Sequence, residues 1–189
     1  MPHVTYITHP EVVIDPKVPV PHWPLSEVGR VRMAALAELP ELRGTSSVWS
    51  SSEQKALDGA QILGERFGVT PTAHAGLDEN DRSATGFLPP DAFWPVVEAF
   101  FAEPDRSTQG WETARGAQAR VVQALDEILA QAPEGDVVIV GHGGTGTLLC
   151  QHLTDQPIRR DPEVIMGSRF QIDRASRKLT LPWTKPPEL

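Results

Sequence analysis

Residues 137–144 read VVIVGHGG, and this stretch decides the fold. Its first four residues are apolar without interruption, which is typical of a parallel strand covered on both faces. A histidine and glycines follow, and residues 145–153 are predicted to be helical. Glycines let an anion approach the backbone N–H groups at such a turn, and a helix N-terminus favours negative charge. The stretch therefore predicts an anion site at the end of a central strand.

The same turn has a competing interpretation. Gly141, Gly143 and Gly146 satisfy the spacing G-x-G-x-x-G between a strand and a helix, which is the dinucleotide-binding fingerprint. Too few residues follow Gly146 in a chain of 189 for the remaining units of such a domain. Asp161 follows the glycines at about the sequence separation expected of the ribose-binding acid in this fingerprint, but it lies in the predicted loop Arg-Asp-Pro. The anion-site interpretation is preferred.

Outside this stretch, strand patterns and helix patterns alternate along the chain. Further strands are predicted at residues 4–7 and 48–50 and, more weakly, at 72–75, helices at 26–39, 53–67, 91–101 and 113–130, and a closing hairpin at 169–172 and 178–181. The prolines between residues 16 and 24 favour a stiff extended loop. The pattern predicts one domain over residues 1–189, an α/β three-layer α/β/α sandwich with a mostly parallel central sheet.

Three polar segments come directly after predicted strands. They are THP at residues 8–10, SSS at 50–52 and GHGG at 141–144. Ligands of such sheets bind outside the carboxyl ends of the strands, so these segments are expected at one cleft. His9 alone would carry little weight, because a single histidine after a strand is more often structural. Its pairing with His142 makes both histidines candidates for the site.

Composition restricts the partners of the protein. The formal net charge of −8 opposes a nucleic-acid surface and an anionic-membrane surface, because both need a basic face. Cys150 is the single cysteine, so no internal disulfide forms, and its apolar neighbours predict a small buried side chain. The first residues lack a signal-peptide pattern, and a cytoplasmic location is expected. The histidines show no metal-ligand spacing, so neither a metal nor another cofactor is expected.

Five segments together resemble one family. They are THP at 8–10, LSEVGR at 25–30, SSSEQKA at 50–56, LDE at 77–79 and VVIVGHGG at 137–144. In this order they are similar to the Arg-His-Gly motif, the Leu-Ser/Thr-x-x-Gly-Arg segment, the Ser-Ser-Pro segment with its following Arg-Ala, the Leu-x-Glu loop and the late His-Gly-Gly strand of the histidine phosphatase superfamily. The resemblance implies the phosphoglycerate mutase-like fold.

The resemblance also assigns roles to residues. His9 would attack phosphorus and form a phosphohistidine, and Glu79 would protonate the leaving oxygen and then activate water. His142 would donate hydrogen bonds to the phosphoryl oxygens. The other phosphate-binding positions would be Thr8, Lys55 and Gly143.

The sequence departs from the family motif at the phosphate positions. Thr8 stands in place of one arginine, Lys55 in place of a second, and Pro10 in place of a glycine. Threonine lacks the two-pronged donor geometry of arginine, and one charge-assisted hydrogen bond is worth roughly 1.5–3 kcal/mol. A loss of about ten- to a hundredfold in affinity or rate is expected. Candidates for a compensating cation are Lys17, His22 and Arg82.

The expected function is a cofactor-independent phosphatase of weakened activity that acts on a small phosphorylated molecule or a phosphoprotein. The alternative is a catalytically impaired member of the same fold that serves as a phosphate-binding or regulatory module. A mutase is a lesser alternative, since nothing identifies a second phosphate site. A homo-oligomer is compatible with the sequence. Five aromatic residues in or beside the loops 15–24 and 80–109 are assigned mainly to the core, with an apolar vestibule as the alternative: Trp23, Phe87, Phe93, Trp94 and Trp111.

Overall fold

One six-stranded sheet organises the chain in a computed structural model that describes residues 1–189. Its strands are β1 (His3–Thr8), β2 (Thr45–Ser50), β3 (Thr72–Ala73), β4 (Asp136–Gly141), β5 (Arg169–Asp173) and β6 (Leu179–Thr184). The α-helices are α1 (Glu27–Ala37), α2 (Gln54–Phe67), α3 (Pro90–Ala102), α4 (Ala114–Gln131) and α5 (Gly143–Leu153). Short 3-10 turns cover Val20–His22, Pro40–Leu42 and Ala75–Leu77.

The strand order is β3-β2-β4-β1-β5-β6. The first four of these strands are mutually parallel, whereas β5 runs antiparallel to β1 and β6 antiparallel to β5. Strand β4 therefore lies in the interior of the sheet, as its unbroken apolar sequence predicts. The mostly parallel α/β sheet is confirmed, and its antiparallel edge is the predicted closing hairpin.

Helices cover both faces of the sheet because successive side chains of a strand point to opposite sides. In β4, Val137 and Ile139 pack with α4 and α5, whereas Val138 and Val140 pack with α1 and α2. Helix α3 lies outside the first of these layers, where its aromatic side chains pack on α4 and α5. The predicted three-layer arrangement is confirmed.

Local signals in the sequence set most of the helix ends. The Ser26 hydroxyl accepts a hydrogen bond from the Gly29 N–H at 3.1 Å and caps α1. Gly68 adopts the left-handed conformation, with φ at 69°, and ends α2. The predicted loop at residues 16–24 contains the turn Val20–His22, and the weak third strand is only two residues long. Cys150 is buried, as predicted, and burial raises the pKa of its thiol to about 11. No helix has the length and apolar character needed to cross a membrane.

Candidate active site

The sheet brings His9 and His142 together. Strands β1 and β4 are adjacent and parallel, with Thr8 paired to Gly141, so each histidine follows its strand at the same edge. The His9 N–H donates to the Gly141 carbonyl at 2.8 Å, which continues the pairing by one residue. The two imidazole rings lie with centroids 5.3 Å apart at an interplanar angle of 68°. The cleft between these rings is the candidate site.

His9 is held in one tautomer. Its Nδ1 lies 2.8 Å from the Pro10 carbonyl oxygen, and since a carbonyl only accepts, Nδ1 carries the proton. The lone pair is then on Nε2. Burial, together with the positive charges of His142 and Lys55, lowers the pKa of His9 to about 3. At neutral pH the ring is uncharged and its Nε2 is a free base.

His142 is fully buried and engages the Ser51 hydroxyl. Its Nε2 lies 2.8 Å from Ser51 Oγ, which itself donates to Asp78 at 2.8 Å, so His142 Nε2–H is the donor of the first bond. Its Nδ1 is buried without a hydrogen-bond partner. Burial lowers the pKa of His142, while the carboxylates of Glu53 and Glu79 oppose that shift. A proton on Nδ1 would turn this orphaned atom into a donor for a bound anion.

Tyr6 supports His142 and is a residue that the sequence patterns do not single out. Its hydroxyl accepts from the His142 N–H at 2.9 Å and donates to the His142 carbonyl at 3.1 Å. Complete burial raises the pKa of this phenol. A Cβ at Gly141 would lie 2.1 Å from the hydroxyl, and one at Gly146 would lie 2.5 Å from the ring. These two glycines of the G-x-G-x-x-G spacing thus make room for an internal tyrosine.

Glu79 occupies the N-terminus of α5. Its carboxylate accepts from the N–H groups of Gly144 at 3.0 Å and Thr145 at 2.9 Å, and from Asn80 at 3.2 Å. The prediction of an open anion site at this helix end is therefore wrong for these N–H groups, because a carboxylate of the chain itself binds them. Gly143 remains open, since a Cβ there would meet nothing closer than 4.0 Å.

Thr8 and Lys55 both direct their polar groups to protein atoms. The buried Thr8 hydroxyl donates to the Ile165 carbonyl at 3.0 Å. The buried Lys55 ammonium donates to the Val20 carbonyl at 3.1 Å and forms an ion pair with Glu53. In this arrangement both polar groups are engaged by protein atoms and the Lys55 charge is balanced locally, while their predicted phosphate contacts stay predictions.

Glu53 is the second site residue that sequence reasoning misses. One carboxylate oxygen lies 3.6 Å from His142 Nε2 and accepts from the Glu79 N–H at 3.0 Å. Burial alone would raise its pKa, but the charges of His142 and Lys55 hold the pKa of Glu53 down at about 2. The only available signal was an acidic residue two positions before Lys55 in a serine-rich segment.

Two cavities flank the cleft and share Glu79, Asn80 and Arg82 in their walls. The apolar cavity, of ≈380 Å³, extends from Gly143 and Gly144 towards α3. The polar cavity, of ≈710 Å³, extends from Ser52 and Glu53 towards residues 16–22 and includes the candidate cations Lys17 and His22. Arg82 lies between the two cavities, so of the three candidate cations it alone borders both.

Comparisons with known proteins establish the family and the fold. The family model of the histidine phosphatase superfamily (branch 1) matches residues 20–176. A mycobacterial glucosyl-3-phosphoglycerate phosphatase, solved with inorganic phosphate, has a TM-score of 0.78 and 26% identity over 100% of this chain and 98% of that chain. Bacillus stearothermophilus YhfR has a TM-score of 0.81 and 18% identity, with 100% and 98% covered. No curated protein sequence matches the chain. The match over most of the length shows that the chain belongs to the histidine phosphatase superfamily, branch 1.

Proposed function

We propose that the protein is a slow, cofactor-independent phosphatase that hydrolyses a phosphomonoester through a phosphohistidine at His9. The observation that carries this proposal is the state of His9. Its Nδ1–H is fixed on the Pro10 carbonyl, its pKa is about 3, and its Nε2 is a free base beside His142. A neutral imidazole with one free nitrogen is the form that can attack phosphorus.

The proposed reaction has two balanced steps. His9 Nε2 forms a bond to phosphorus while the bond from phosphorus to the ester oxygen breaks, and the carboxyl group of Glu79 protonates that oxygen. A water molecule then attacks the phosphohistidine, its proton passes to the Glu79 carboxylate, and phosphate leaves with His9 restored. We propose that the phosphoryl group brings a second proton onto His142, at the Nδ1 that burial otherwise keeps deprotonated, and that this Nδ1–H donates to the phosphoryl oxygens, where negative charge must be stabilised in both steps.

The low rate follows from the cationic positions. Thr8 donates to Ile165, and the Lys55 charge is balanced by Glu53. Phosphoryl oxygens are bound best by planar bidentate donors such as the guanidinium of arginine, and neither Thr8 nor Lys55 supplies one. A deficit of about ten- to a hundredfold against a pocket with a free arginine is expected.

Trapping of the intermediate tests the proposal. The protein is mixed briefly with phosphoramidate, quenched and analysed by mass spectrometry for phosphohistidine. We expect phosphate on the peptide that contains His9 and none in His9→Ala, which also loses turnover of an aryl phosphate. His152→Ala is the matched control, since that imidazole is exposed and lies outside the cleft. Full turnover in His9→Ala would exclude this mechanism.

A binding module without turnover is the second candidate. The observation that favours it is that Thr8 and Lys55 engage protein atoms. The phosphatase similar in structure has been solved with inorganic phosphate and with VO3, which makes both anions suitable probes. Binding of phosphate that is lost in His142→Ala, combined with the absence of phosphohistidine and of turnover, would support this second function over the first.

A further inference from the structure

We propose that the apolar cavity binds the alcohol part of the substrate, and that the substrate is the phosphomonoester of an aromatic or similarly apolar alcohol. The inference rests on the proposed function and names its substrate class. The cavity begins at Gly143, Gly144 and Glu79; neither histidine lines it, but Gly143 directly follows His142 in the chain. A group held in it can therefore remain attached to a phosphoryl group next to His142. Its volume of ≈380 Å³ lies within the range of small-ligand sites.

Half of the 18 residues that line this cavity are aromatic or aliphatic. The side chains that the argument uses are Phe93, Trp94, Val97, Trp111, Ile165 and Met166. They come from α3, from the loop before α4 and from the segment between α5 and β5, so three separate parts of the chain contribute apolar groups to one space. Apolar walls gain free energy when a ligand displaces water from them, at roughly 25 cal/mol per Å².

The mouth of the cavity exposes large apolar side chains. Trp94 is 50% exposed, and Ile165 and Met166 are each 46% exposed. Trp94 is also where the assignment of the aromatic residues to the core is wrong, whereas Trp23 and Trp111 are buried as predicted. Exposed apolar side chains that line a cavity beside a site are typical of ligand binding, because their contact with water is unfavourable.

Arg82 completes an amphiphilic arrangement. Its guanidinium lies 5.3 Å from the centre of the Phe93 ring and 5.6 Å from that of Trp111, and it forms no ion pair with a carboxylate. The stacking fixes a cation on the wall shared by the two cavities, where its charge also acts on His142. A ligand with an anionic end and an apolar end matches this distribution of charge.

The polar cavity would favour the opposite class of substrate, the phosphomonoester of a polar alcohol. Its walls are mainly loop backbone and charged side chains, among them Lys17, Asp78 and Asp81, and they remain hydrated without cost. A sugar or glycerol group would suit that space. The substrate preference of the protein therefore reports which cavity receives the alcohol.

A pair of substrates that differ by one ring tests the proposal. We compare kcat/KM for 2-phenylethyl phosphate and ethyl phosphate, whose leaving alcohols are of the same chemical kind. Burial of the ring predicts a preference of roughly tenfold or more for the phenylethyl ester. Trp94→Ala should reduce that preference severalfold, Met166→Ala should reduce it less, and Trp94→Phe should retain most of it. Val31→Ala is the matched control, because it removes an apolar side chain that is 52% exposed on α1.

A binding measurement separates this proposal from the proposed function. Calorimetry on His9→Ala gives the Kd of 2-phenylethyl phosphate, ethyl phosphate and glycerol 3-phosphate without turnover. Tighter binding of the phenylethyl ester by roughly tenfold, weakened by Trp94→Ala, supports the apolar site even if the wild type forms no phosphohistidine. Equal binding of the three esters, or preference for glycerol 3-phosphate, would overturn it while leaving the phosphatase assignment intact.

Discussion

The cleft has a histidine side, formed by His9 and His142, and a cationic side, formed by Thr8 and Lys55. The two sides differ in whether their polar atoms are bonded to the protein. On the histidine side, His9 Nε2 and His142 Nδ1 have no protein partner. On the cationic side, the Thr8 hydroxyl and the Lys55 ammonium are both engaged by protein atoms. The histidine side therefore has two ring nitrogens without a protein partner, whereas the polar groups of the cationic side are bonded to the protein itself.

Lys55 shows why a retained charge is not a retained function. The residue keeps the sign of the arginine that the family motif has there, but Glu53 pairs with it in the buried interior. In a buried ion pair each charge mainly offsets the desolvation of the other, so the pair has little net charge to act on a ligand. For positive charge the cleft thus depends on Arg82, and on His142 only when a bound anion protonates it against the effect of burial.

The largest expected effect is the loss of His142. Removing a preorganised donor from the phosphoryl oxygens costs on the order of 10²–10³-fold in kcat. We expect that loss in His142→Ala for any phosphomonoester, together with weaker vanadate binding, while His152→Ala stays at the wild-type rate. Circular dichroism and a thermal melt establish that the variant is folded. A kcat within twofold of wild type would remove His142 from the mechanism.

The second test breaks the pair on the cationic side. Glu53→Gln keeps an acceptor for the Glu79 N–H but leaves Lys55 unbalanced, so it should lower the free energy of unfolding by about 3–5 kcal/mol. The same change should strengthen phosphate binding roughly tenfold, since the released charge already acts on His9 and would then attract an anion there. Glu38→Gln, which breaks the exposed pair with Arg66, is the control and should leave the free energy of unfolding nearly unchanged. Phosphate affinity unchanged by Glu53→Gln would show that Lys55 does not act on the cleft.

The third test lowers the pH until His9 becomes protonated. The pKa of His9 is about 3 in the folded protein and 6.5 as its ordinary value, so the unfolded chain binds more protons between those values. Stability is therefore full above pH 6.5 and falls as the pH is lowered towards 3. The slope has an upper limit of about 1.4 kcal/mol per pH unit for one such group.

Urea unfolding between pH 7 and 4.5 measures this slope. His9→Ala should flatten the profile, although buried His142, whose pKa is also lowered, leaves part of it. His152→Ala should leave the profile unchanged. Glu53, with a pKa of about 2, contributes only below its ordinary value of 4.5 and so does not enter this range. An identical slope in His9→Ala and wild type would contradict the neutral buried state of His9.

The smallest expected effect concerns Thr8. Thr8→Val keeps the shape of the side chain but removes one of the two donors to the Ile165 carbonyl, which still accepts from the Ser168 N–H at 3.0 Å, so the cost should be about 0.5–1.5 kcal/mol in the free energy of unfolding. Phosphate affinity should stay within twofold, because the hydroxyl donates to the Ile165 carbonyl. Thr8→Ser, which keeps the hydroxyl, is the control. A tenfold loss of phosphate affinity in Thr8→Val alone would restore the predicted phosphate contact.

The sequence by itself determined the sheet and the convergence of the two histidines. The apolar run in β4 requires cover on both faces, and parallel strands bring their carboxyl ends to one edge, so residues 9 and 142 are expected at that edge. The pairing of β1 with β4 in the structure makes them neighbours there. These inferences depend on periodicity and topology, which are local or general properties. The family motifs added the expected roles of the residues, and the match over residues 20–176 confirms the family.

Only the tertiary structure decided how the polar atoms are paired. Glu79 binds the N-terminus of α5, Lys55 pairs with Glu53, and the Tyr6 hydroxyl bridges the backbone of His142. A carboxylate or an ammonium has several partners within reach of a flexible side chain, and the choice depends on packing between segments far apart in the chain. Residue type predicts that a buried polar group will be satisfied, but it does not predict by which partner.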